Sequence, residues 1–359
     1  MKNYKYRQAG KRLVLVLALL IVALFLPFNM QAADQRIVLS DEDRSGETIG
    51  SSGINLSTED EGRLIVSAVL SGGSGGQDIS LTKIGKDGKV SWTKTYGESG
   101  DEVARSIMQT SDGGFIITGY TTSKGSGGRD LYMLRLNKWG DKQWDAAVGG
   151  TNDDEGLMVQ QLNGGDFVAV GYSLRQHTVS GSQAPTQDAD IMAVRYDRNG
   201  KKIWERYYGG NQDDYACSIQ ANKNGGLVIA GCTRSFSKGT WDIYVIKMID
   251  SGLVSWEKSI GGTANYISTG IQQTPDNGYL VMGYTYDESS AQRQEVRIRL
   301  DSSGKLLWQQ TLDDLSLYGD AMHSTLTTVD ADANLTTKSD NALPPPQIPQ
   351  AKQSRKGSH

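Results

Sequence analysis

The ten residues SDGGFIITGY, residues 111–120, recur with small changes further along the chain. The related segments are NGGDFVAVGY (163–172), NGGLVIAGC (224–232) and DNGYLVMGY (276–284). Each begins with a polar turn that contains glycine, continues into a short apolar run, and ends in glycine followed by Tyr or Cys. This pattern predicts a hairpin turn followed by a β-strand.

Five tryptophans measure the length of the repeat, because 52, 60, 52 and 52 residues separate Trp92, Trp144, Trp204, Trp256 and Trp308. A series of acidic residues has the same spacing: Asp78, Asp130, Asp190 and Asp242. Each unit contains four short apolar runs, a to d, which in the second unit are VARSIMQT, GFIITGY, LYMLRLN and KQWDAAV. About 50 residues for each four-stranded unit is typical of a β-propeller.

The repeat combines D-G-G-h-h-h-x-G-Y, where h is hydrophobic, with G-x-D-h-h-h, a turn, W and Y-G-G-x-x-x-D. It resembles the β-propeller repeats of exported bacterial proteins and, more distantly, kelch repeats. Five units carry the pattern over about four fifths of the chain. The resemblance implies an all-β propeller but little about function, because one fold supports many functions.

We predict a single β-propeller over residues 34–338, with six blades of which the last is incomplete. Residues 319–337 match strands a and b of a further unit, and QRIVLS, residues 35–40, matches a strand d. Both termini would then close the ring; five blades is the alternative. Residues 339–359 are rich in proline and polar residues and predict a disordered tail.

Residues 1–33 have the layout of an export signal, with a basic head before the apolar residues 13–28. This apolar stretch is shorter than the roughly 20 residues of a membrane-spanning helix, and Ala32 and Ala33 offer a cleavage site. We therefore expect a periplasmic or secreted protein; an uncleaved inner-membrane anchor, the only membrane contact we consider, is the alternative. Removal of residues 1–33 changes the formal net charge from −4 to −9. Such an acidic protein is unsuited to nucleic acid.

The connections from strand d to a and from b to c leave one face of a propeller, and here they carry many acidic residues. We expect Asp101, Asp154 and Asp214 to gather near the axis of this face and to contact a ligand or hold a calcium ion, which takes oxygen ligands. The other interpretation is structural. An Asp that recurs in each unit accepts hydrogen bonds from backbone N–H groups and fixes its turn.

The largest break in the repeat is the b to c connection of the third unit, SLRQHTVSGSQAPTQDA, residues 173–189. It is eight residues longer than its counterpart in the second unit and contains Arg175 and His177. A loop added to one unit is a candidate contact for a ligand or partner, although surface loops also tolerate insertion at little cost.

Cys217 and Cys232 fall on the predicted strands a and b of the fourth unit, about opposite each other. Cross-strand neighbours come within disulfide range, and export leads to an oxidising compartment. We predict a disulfide; two small apolar residues packed between blades are the alternative.

Support for catalysis is weak. The sequence contains no motif typical of a nucleophile, a zinc protease or a phosphate loop, and the histidines His177, His323 and His359 form no metal-binding motif. We expect a non-catalytic binding or scaffold protein with a protein or glycan partner and no cofactor other than calcium. The alternatives are a hydrolase or lyase with an axial carboxylate site, and a structural part of an envelope assembly.

Overall fold

The computed structural model describes residues 37–38, 54–70, 76–177, 186–287 and 292–312. Every regular element in these ranges is a β-strand, which confirms the all-β prediction. The same ranges contain no helix that is long and apolar enough to cross a membrane. The predicted export signal, the segment 319–337 and the tail 339–359 lie outside the described residues.

The strands follow the predicted runs a to d. They are β1 (Ile37–Val38), β2 (Ile54–Ser57), β3 (Arg63–Leu70), β4 (Gln77–Ile84), β5 (Val90–Tyr96), β6 (Glu102–Gln109), β7 (Phe115–Thr121), β8 (Asp130–Leu136), β9 (Lys142–Val148), β10 (Asp154–Gln161), β11 (Phe167–His177), β12 (Thr186–Tyr196), β13 (Lys202–Tyr208), β14 (Asp214–Ala221), β15 (Leu227–Thr233), β16 (Asp242–Met248), β17 (Val254–Ile260), β18 (Asn265–Gln273), β19 (Tyr279–Asp287), β20 (Gln292–Leu300) and β21 (Leu306–Leu312).

These strands form five antiparallel sheets in a propeller-like series. The first sheet is β2-β3-β4-β5, and β6-β7-β8-β9 form the second, with β1 added beside β6. The third, fourth and fifth are β10-β11-β12-β13, β14-β15-β16-β17 and β18-β19-β20-β21. Consecutive sheets pack face to face through their first three strands, and the fourth strand of each is the most exposed.

The short strand β1 does not take the position that we expected for residues 35–40. Ile37 pairs with Ile107 and Val38 with Ser106, so β1 adds to the second sheet. It was expected as strand d of the last blade, and that prediction was wrong. A strand with two paired residues carries little register information in its sequence, because either face of so short a segment fits a sheet edge.

The middle strands b and c of the second and fourth sheets are mostly apolar and almost wholly buried, because both faces of these internal sheets are covered. In β7, Phe115 and Ile117 pack on the first sheet, whereas Ile116 packs on the third. The run FIIT in the repeat is therefore continuous instead of alternating. It fills two interfaces at once.

Glycine before the last Tyr or Cys of the repeat marks a close approach between strands. Strand a carries a β-bulge, which in the second sheet falls between Ala104 and Ser106. A Cβ on Gly119 would collide with the carbonyl oxygen of Val103 beside this bulge. Gly171, Gly231 and Gly283 meet the same obstacle in the next three sheets. Only glycine leaves room for the neighbouring backbone here.

In the first four sheets, the tryptophan of strand d rests on the c to d turn of the following sheet. Trp144 Nε1 donates to the carbonyl of Arg198 at 3.0 Å, and its ring lies against Gly200. The equivalent hydrogen bonds run from Trp204 to Asp250 at 3.0 Å and from Trp256 to Ser302 at 3.2 Å. The turn glycines have positive φ, between 78° and 83°: Gly140, Gly200, Gly252 and Gly304. This contact explains the regular spacing of the tryptophans.

An ion pair between the a to b turn and strand c recurs in four of the five described sheets. In the second sheet Arg135, which is buried, donates to both oxygens of Asp112 at 2.7 and 2.6 Å. The equivalent pairs are Lys83 with Asp60, Arg195 with Asp166, and Arg299 with Asp276. The Asp of the Asp-Gly-Gly turn therefore also neutralises a buried cation.

Gly200→Ala tests the contact between sheets. At φ 83° alanine costs about 1–2 kcal/mol for its left-handed conformation, and its Cβ would also press on Trp144. We expect urea unfolding to show a loss of at least this size. Gly150→Ala is the matched control, since a Cβ there has nothing within 4 Å. Equal unfolding midpoints for the two variants would contradict the role given to the turn.

Candidate functional site

One face of the sheet series carries both sets of connections that the sequence placed together. In the second sheet the start of strand a pairs with the end of strand b, as Glu102 lies opposite Thr121. Thr121 in turn lies opposite Asp130 at the start of strand c. The d to a and b to c connections therefore leave the same end of each sheet, which we call the loop face.

The insertion of the third unit is mostly a longer β-hairpin and not a loop. Strands β11 and β12 stay paired from Ser173 opposite Asp190 to His177 opposite Thr186. In the second and fourth sheets, the pairing of strands b and c ends at the residue equivalent to Ser173, which is Thr121 and Thr233 respectively. The hairpin thus rises four residues further above the loop face, and residues 178–185 at its tip lie outside the described residues.

Three side chains at the base of this hairpin converge. Nε2 of His177 lies 2.7 Å from Oδ1 of Asp188 and 3.2 Å from Oδ2 of Asp190. One ligand atom from each lies within 4.8 Å of the others, and among the described residues this is the group of three that could hold a metal ion. Asp188 and Asp190 are buried, whereas His177 is partly exposed.

The hydrogen bonding of this cluster is incomplete. The two short distances are ion-pair contacts that lie outside hydrogen-bond geometry. Four atoms therefore make no hydrogen bond: both carboxylate oxygens of Asp188, Oδ1 of Asp190 and Nε2 of His177. Burial raises the pKa of Asp188 to about 6; His177 opposes this shift, and the nearby carboxylates Asp190, Asp213 and Asp214 add to it. Burial likewise raises the pKa of Asp190, against the effect of His177 and Arg175.

Arg175 borders the cluster on its exposed side. Its Nη1 lies 3.2 Å from Oδ2 of Asp190, and its guanidinium stacks on Tyr207 at 4.2 Å. With 44% of its side chain exposed, Arg175 can reach a molecule in solution as well as Asp190.

Arginine on an aromatic ring is a repeated feature of the loop face. Arg129 lies 4.4 Å from the ring of Tyr120, Arg234 lies 5.5 Å from Trp241, and Arg293 lies 5.2 Å from Tyr284. Such stacks hold the cation in place while part of the side chain stays open to solvent. Arg175 and Arg234 therefore present positive charge at this face, beside exposed carboxylates such as Glu98.

The structure does not bring Asp101, Asp154 and Asp214 into one cation-sized cluster. Asp101 is half-buried and accepts a hydrogen bond from the backbone of Gln77 at 2.8 Å. Asp154 and Asp214 are fully buried. Each accepts from the backbone of a d to a glycine, Gly150 at 2.7 Å and Gly210 at 2.9 Å. These contacts favour the structural interpretation of the recurring acids.

Buried carboxylates meet in pairs between neighbouring sheets. A Cβ placed on Gly149 would touch Oδ1 of Asp130 and Oδ2 of Asp154, so the two carboxylates flank one glycine. The same arrangement joins Asp78 with Glu102 and Asp190 with Asp214. One oxygen in each of these aspartates has no hydrogen-bond partner: Asp78, Asp130, Asp154, Asp190 and Asp214. Burial raises the pKa of Asp154, and the charge of Asp130 adds to the effect.

The predicted disulfide is not formed. Cys217 and Cys232 are free, with their Sγ atoms 3.7 Å apart. Their proximity was predicted correctly, but their register was not, because Tyr215 lies opposite Cys232 and Cys217 is the extra residue of the bulge. An extra residue in a bulge has no direct cross-strand partner.

Sequence reasoning found Arg175 and His177 but missed Asp188 and Asp190 as their neighbours. A signal was present in the alignment of the units. Asp190 recurs as Asp130 and Asp242, whereas Asp188 replaces Gly128 and Thr240. An acid that only the inserted unit carries, two residues from a recurring buried acid, lies on the same side of the strand.

Asp130→Asn tests the carboxylate pairs. Burial raises the pKa of Asp130, so its ionised form destabilises the fold at pH 7. This cost is relieved as the pH falls through the folded pKa toward 3.8, the ordinary value. The asparagine keeps an acceptor for Ser126 N and gives Asp154 a donor. We expect a gain of about 1 kcal/mol at pH 7 that shrinks toward pH 4, measured by urea unfolding.

Asp112→Asn is the opposite control. Partial burial acts to raise the pKa of Asp112, but hydrogen bonds from Thr110, Gly114 and Arg135 outweigh it and lower the pKa. Its stabilisation is therefore present at pH 7 and lost at low pH, so this variant should be less stable at pH 7. If Asp130→Asn also lost stability at pH 7, the carboxylate pair would not be repulsive.

No family model and no curated protein matches this chain. Among solved structures, the chain is similar to a eukaryotic initiation factor at 8% identity and a TM-score of 0.35, covering 75% of this chain and 67% of that one. It is also similar to BBS1N in complex with ARL6DN at 12% identity and a TM-score of 0.29, covering 78% and 88%. Likenesses this weak carry no argument about function. The propeller-like description therefore rests on the five sheets, and the resemblance to exported and kelch repeats rests on the sequence pattern alone.

Proposed function

We propose that this chain is an exported, non-catalytic β-propeller that binds another macromolecule, a protein or a glycan, through its loop face. The observation that carries the proposal is the hairpin of β11 and β12. It extends four residues beyond the point where strands b and c stop pairing in the second and fourth sheets, whereas the fifth sheet extends this pairing by only two residues and the first by one. The unit that departs most from the others at one end is where a binding surface is expected.

The stacked arginines define the chemistry of this surface. Arg175 and Arg234 keep about two fifths of their side chains exposed, and Tyr207 and Trp241 lie beneath them. Planar guanidinium groups recognise carboxylate and sulfate or phosphate groups. We therefore propose a partner that carries acidic groups. In this proposal Asp101, Asp154 and Asp214 shape the connections and do not touch the partner.

Export is part of the proposal and rests on residues 1–33. Their basic head and apolar run predict delivery to the periplasm or the exterior. There the loop face would meet envelope proteins and acidic glycans.

We also propose a sixth, incomplete blade formed by residues 319–337. Trp308 of the fifth sheet is 45% exposed, whereas Trp204 is 7% exposed beneath the turn of the next sheet. Trp308 has no such turn over it in the described part of the chain. A further unit after residue 312 would cover Trp308.

Removal of residues 178–185 and Arg175→Glu test the binding proposal. Immobilised chains would be exposed to an extract of the native envelope, and the retained proteins and glycans quantified by mass spectrometry. We expect the wild type to retain a defined partner about tenfold more than either variant, consistent with loss of a residue that carries more than 1 kcal/mol of binding. Arg198→Glu reverses a charge on the opposite face of the same sheet and should leave retention unchanged.

Equal retention by the wild type and the Arg175→Glu chain would contradict the proposal. So would a loss of equal size in the Arg198→Glu chain, because that would show a general effect of charge.

Two truncations test the sixth blade. Removal of residues 339–359 should leave the thermal midpoint unchanged, whereas removal of residues 319–359 should lower it and expose Trp308 further to a fluorescence quencher. The expected loss is several degrees, because 1 kcal/mol shifts the midpoint of a domain larger than 150 residues by about 2–4 °C. Identical midpoints for the two truncated chains would support five blades instead.

A further inference from the structure

We propose that His177, Asp188 and Asp190 bind a zinc ion at the base of the hairpin formed by β11 and β12. The inference does not depend on the partner proposed above, because it concerns residues that already converge within this chain.

The donor atoms suit a borderline metal. One imidazole nitrogen with two carboxylate oxygens is a ligand set that Zn²⁺ takes, leaving a fourth position open. Zinc bonds of about 2.0–2.2 Å place the ligands of a tetrahedral site about 3.3 Å apart. The distance from His177 Nε2 to Asp190 Oδ2 is 3.2 Å, and that to Asp188 Oδ1 is 2.7 Å. The three atoms therefore need only a small expansion to surround the ion.

Asp188 provides an independent observation in favour of a bound ion, because the protein alone does not satisfy its carboxylate. Its side chain is only 7% exposed, and neither of its oxygens has a partner in hydrogen-bond geometry. A buried carboxylate that accepts no hydrogen bond is costly, and ions are among the groups that satisfy such sites. Its nearest polar neighbour, Nε2 of His177 at 2.7 Å from Oδ1, makes no hydrogen bond either.

The local charge fits a divalent cation. When all groups are ionised and His177 is neutral, four carboxylates act on this site and two guanidinium groups pair with them: Asp188, Asp190, Asp213, Asp214, Arg175 and Arg234. Two negative charges remain, which one Zn²⁺ would balance.

The site should discriminate against calcium and magnesium. Ca²⁺ takes six to eight oxygen ligands and Mg²⁺ prefers an octahedral oxygen shell. An imidazole beside two carboxylates is a poor match for both but is a common ligand of zinc.

Arg175 competes with the ion for Asp190, since its Nη1 lies 3.2 Å from the same Oδ2 atom. Its stacking on Tyr207 at 4.2 Å gives the guanidinium a second place to rest when Asp190 is occupied. Loss of Arg175 should therefore strengthen zinc binding, whereas loss of a ligand should weaken it. A purely structural ion-pair cluster would not show these opposite effects.

The test is calorimetric titration of ZnCl₂ into the full mature chain, purified without a polyhistidine tag and stripped with EDTA. We expect one zinc per chain. His177→Gln and Asp188→Asn should each weaken binding by about tenfold or more, and Arg175→Gln should strengthen it severalfold. Asp242→Asn, at the position of Asp190 in the fourth sheet, is the matched control and should bind as the wild type does. CaCl₂ and MgCl₂ at the same concentrations should give no binding.

A second measurement does not depend on the folding of variants. Diethyl pyrocarbonate modifies accessible imidazoles, and mass spectrometry can follow the modification of His177 in the wild-type chain. Zinc should protect His177. The absence of zinc binding, unchanged affinity in His177→Gln, or modification of His177 at the same rate with and without zinc would each overturn the proposal. Calcium binding that depends on the same residues would overturn the assignment to zinc.

Discussion

The contact between a strand d tryptophan and the c to d turn of the next sheet is the constraint on which the arrangement of the sheets depends. Trp144 requires a carbonyl at Arg198 and an open surface at Gly200. Both must lie at one fixed position in the following unit, so the number of residues between units cannot change at that end of the sheets. The tryptophans keep a spacing of 52 residues wherever no residues are added on the other face.

The two ends of each sheet therefore have different roles. At one end, tryptophans, turn glycines and the pairs of Arg135 with Asp112 and its equivalents join sheets and close turns. At the other end, buried aspartates such as Asp154 hold the connections, and arginines lie above them. The eight extra residues of the third unit are added at this second end, where they disturb no contact of a tryptophan. A change of length there alters the surface without altering the packing.

Much of the fold could be predicted because the repeat states each strand several times. The apolar run FIIT, the turn before it and the position of Trp144 each follow from a local rule of hairpins and buried sheets. The place of strand β1 was predicted wrongly, because QRIVLS resembles a strand d, whereas Ile37 and Val38 pair with strand a of the second sheet. The register of Cys217 was missed for another reason. A bulge adds one residue to a strand, and the only sequence sign of it is Gly231 on the partner strand.

For the candidate site, Arg175 and His177 stood out as residues of the insertion, whereas Asp188 was hidden beside a recurring Asp190. Its importance comes from the pairing of β11 with β12, which brings it opposite Arg175 and close to His177.

The four-residue extension of β11 and β12 has a consequence for how such a surface can change. The extension begins after the pair Ser173–Asp190, and the second sheet has the equivalent pair Thr121–Asp130. The backbone from which the extension starts is therefore the same in both sheets. A segment that starts from the same backbone pair in several sheets can change in length without changing the pairing beneath it. In the third sheet this segment is already four residues longer than in the second.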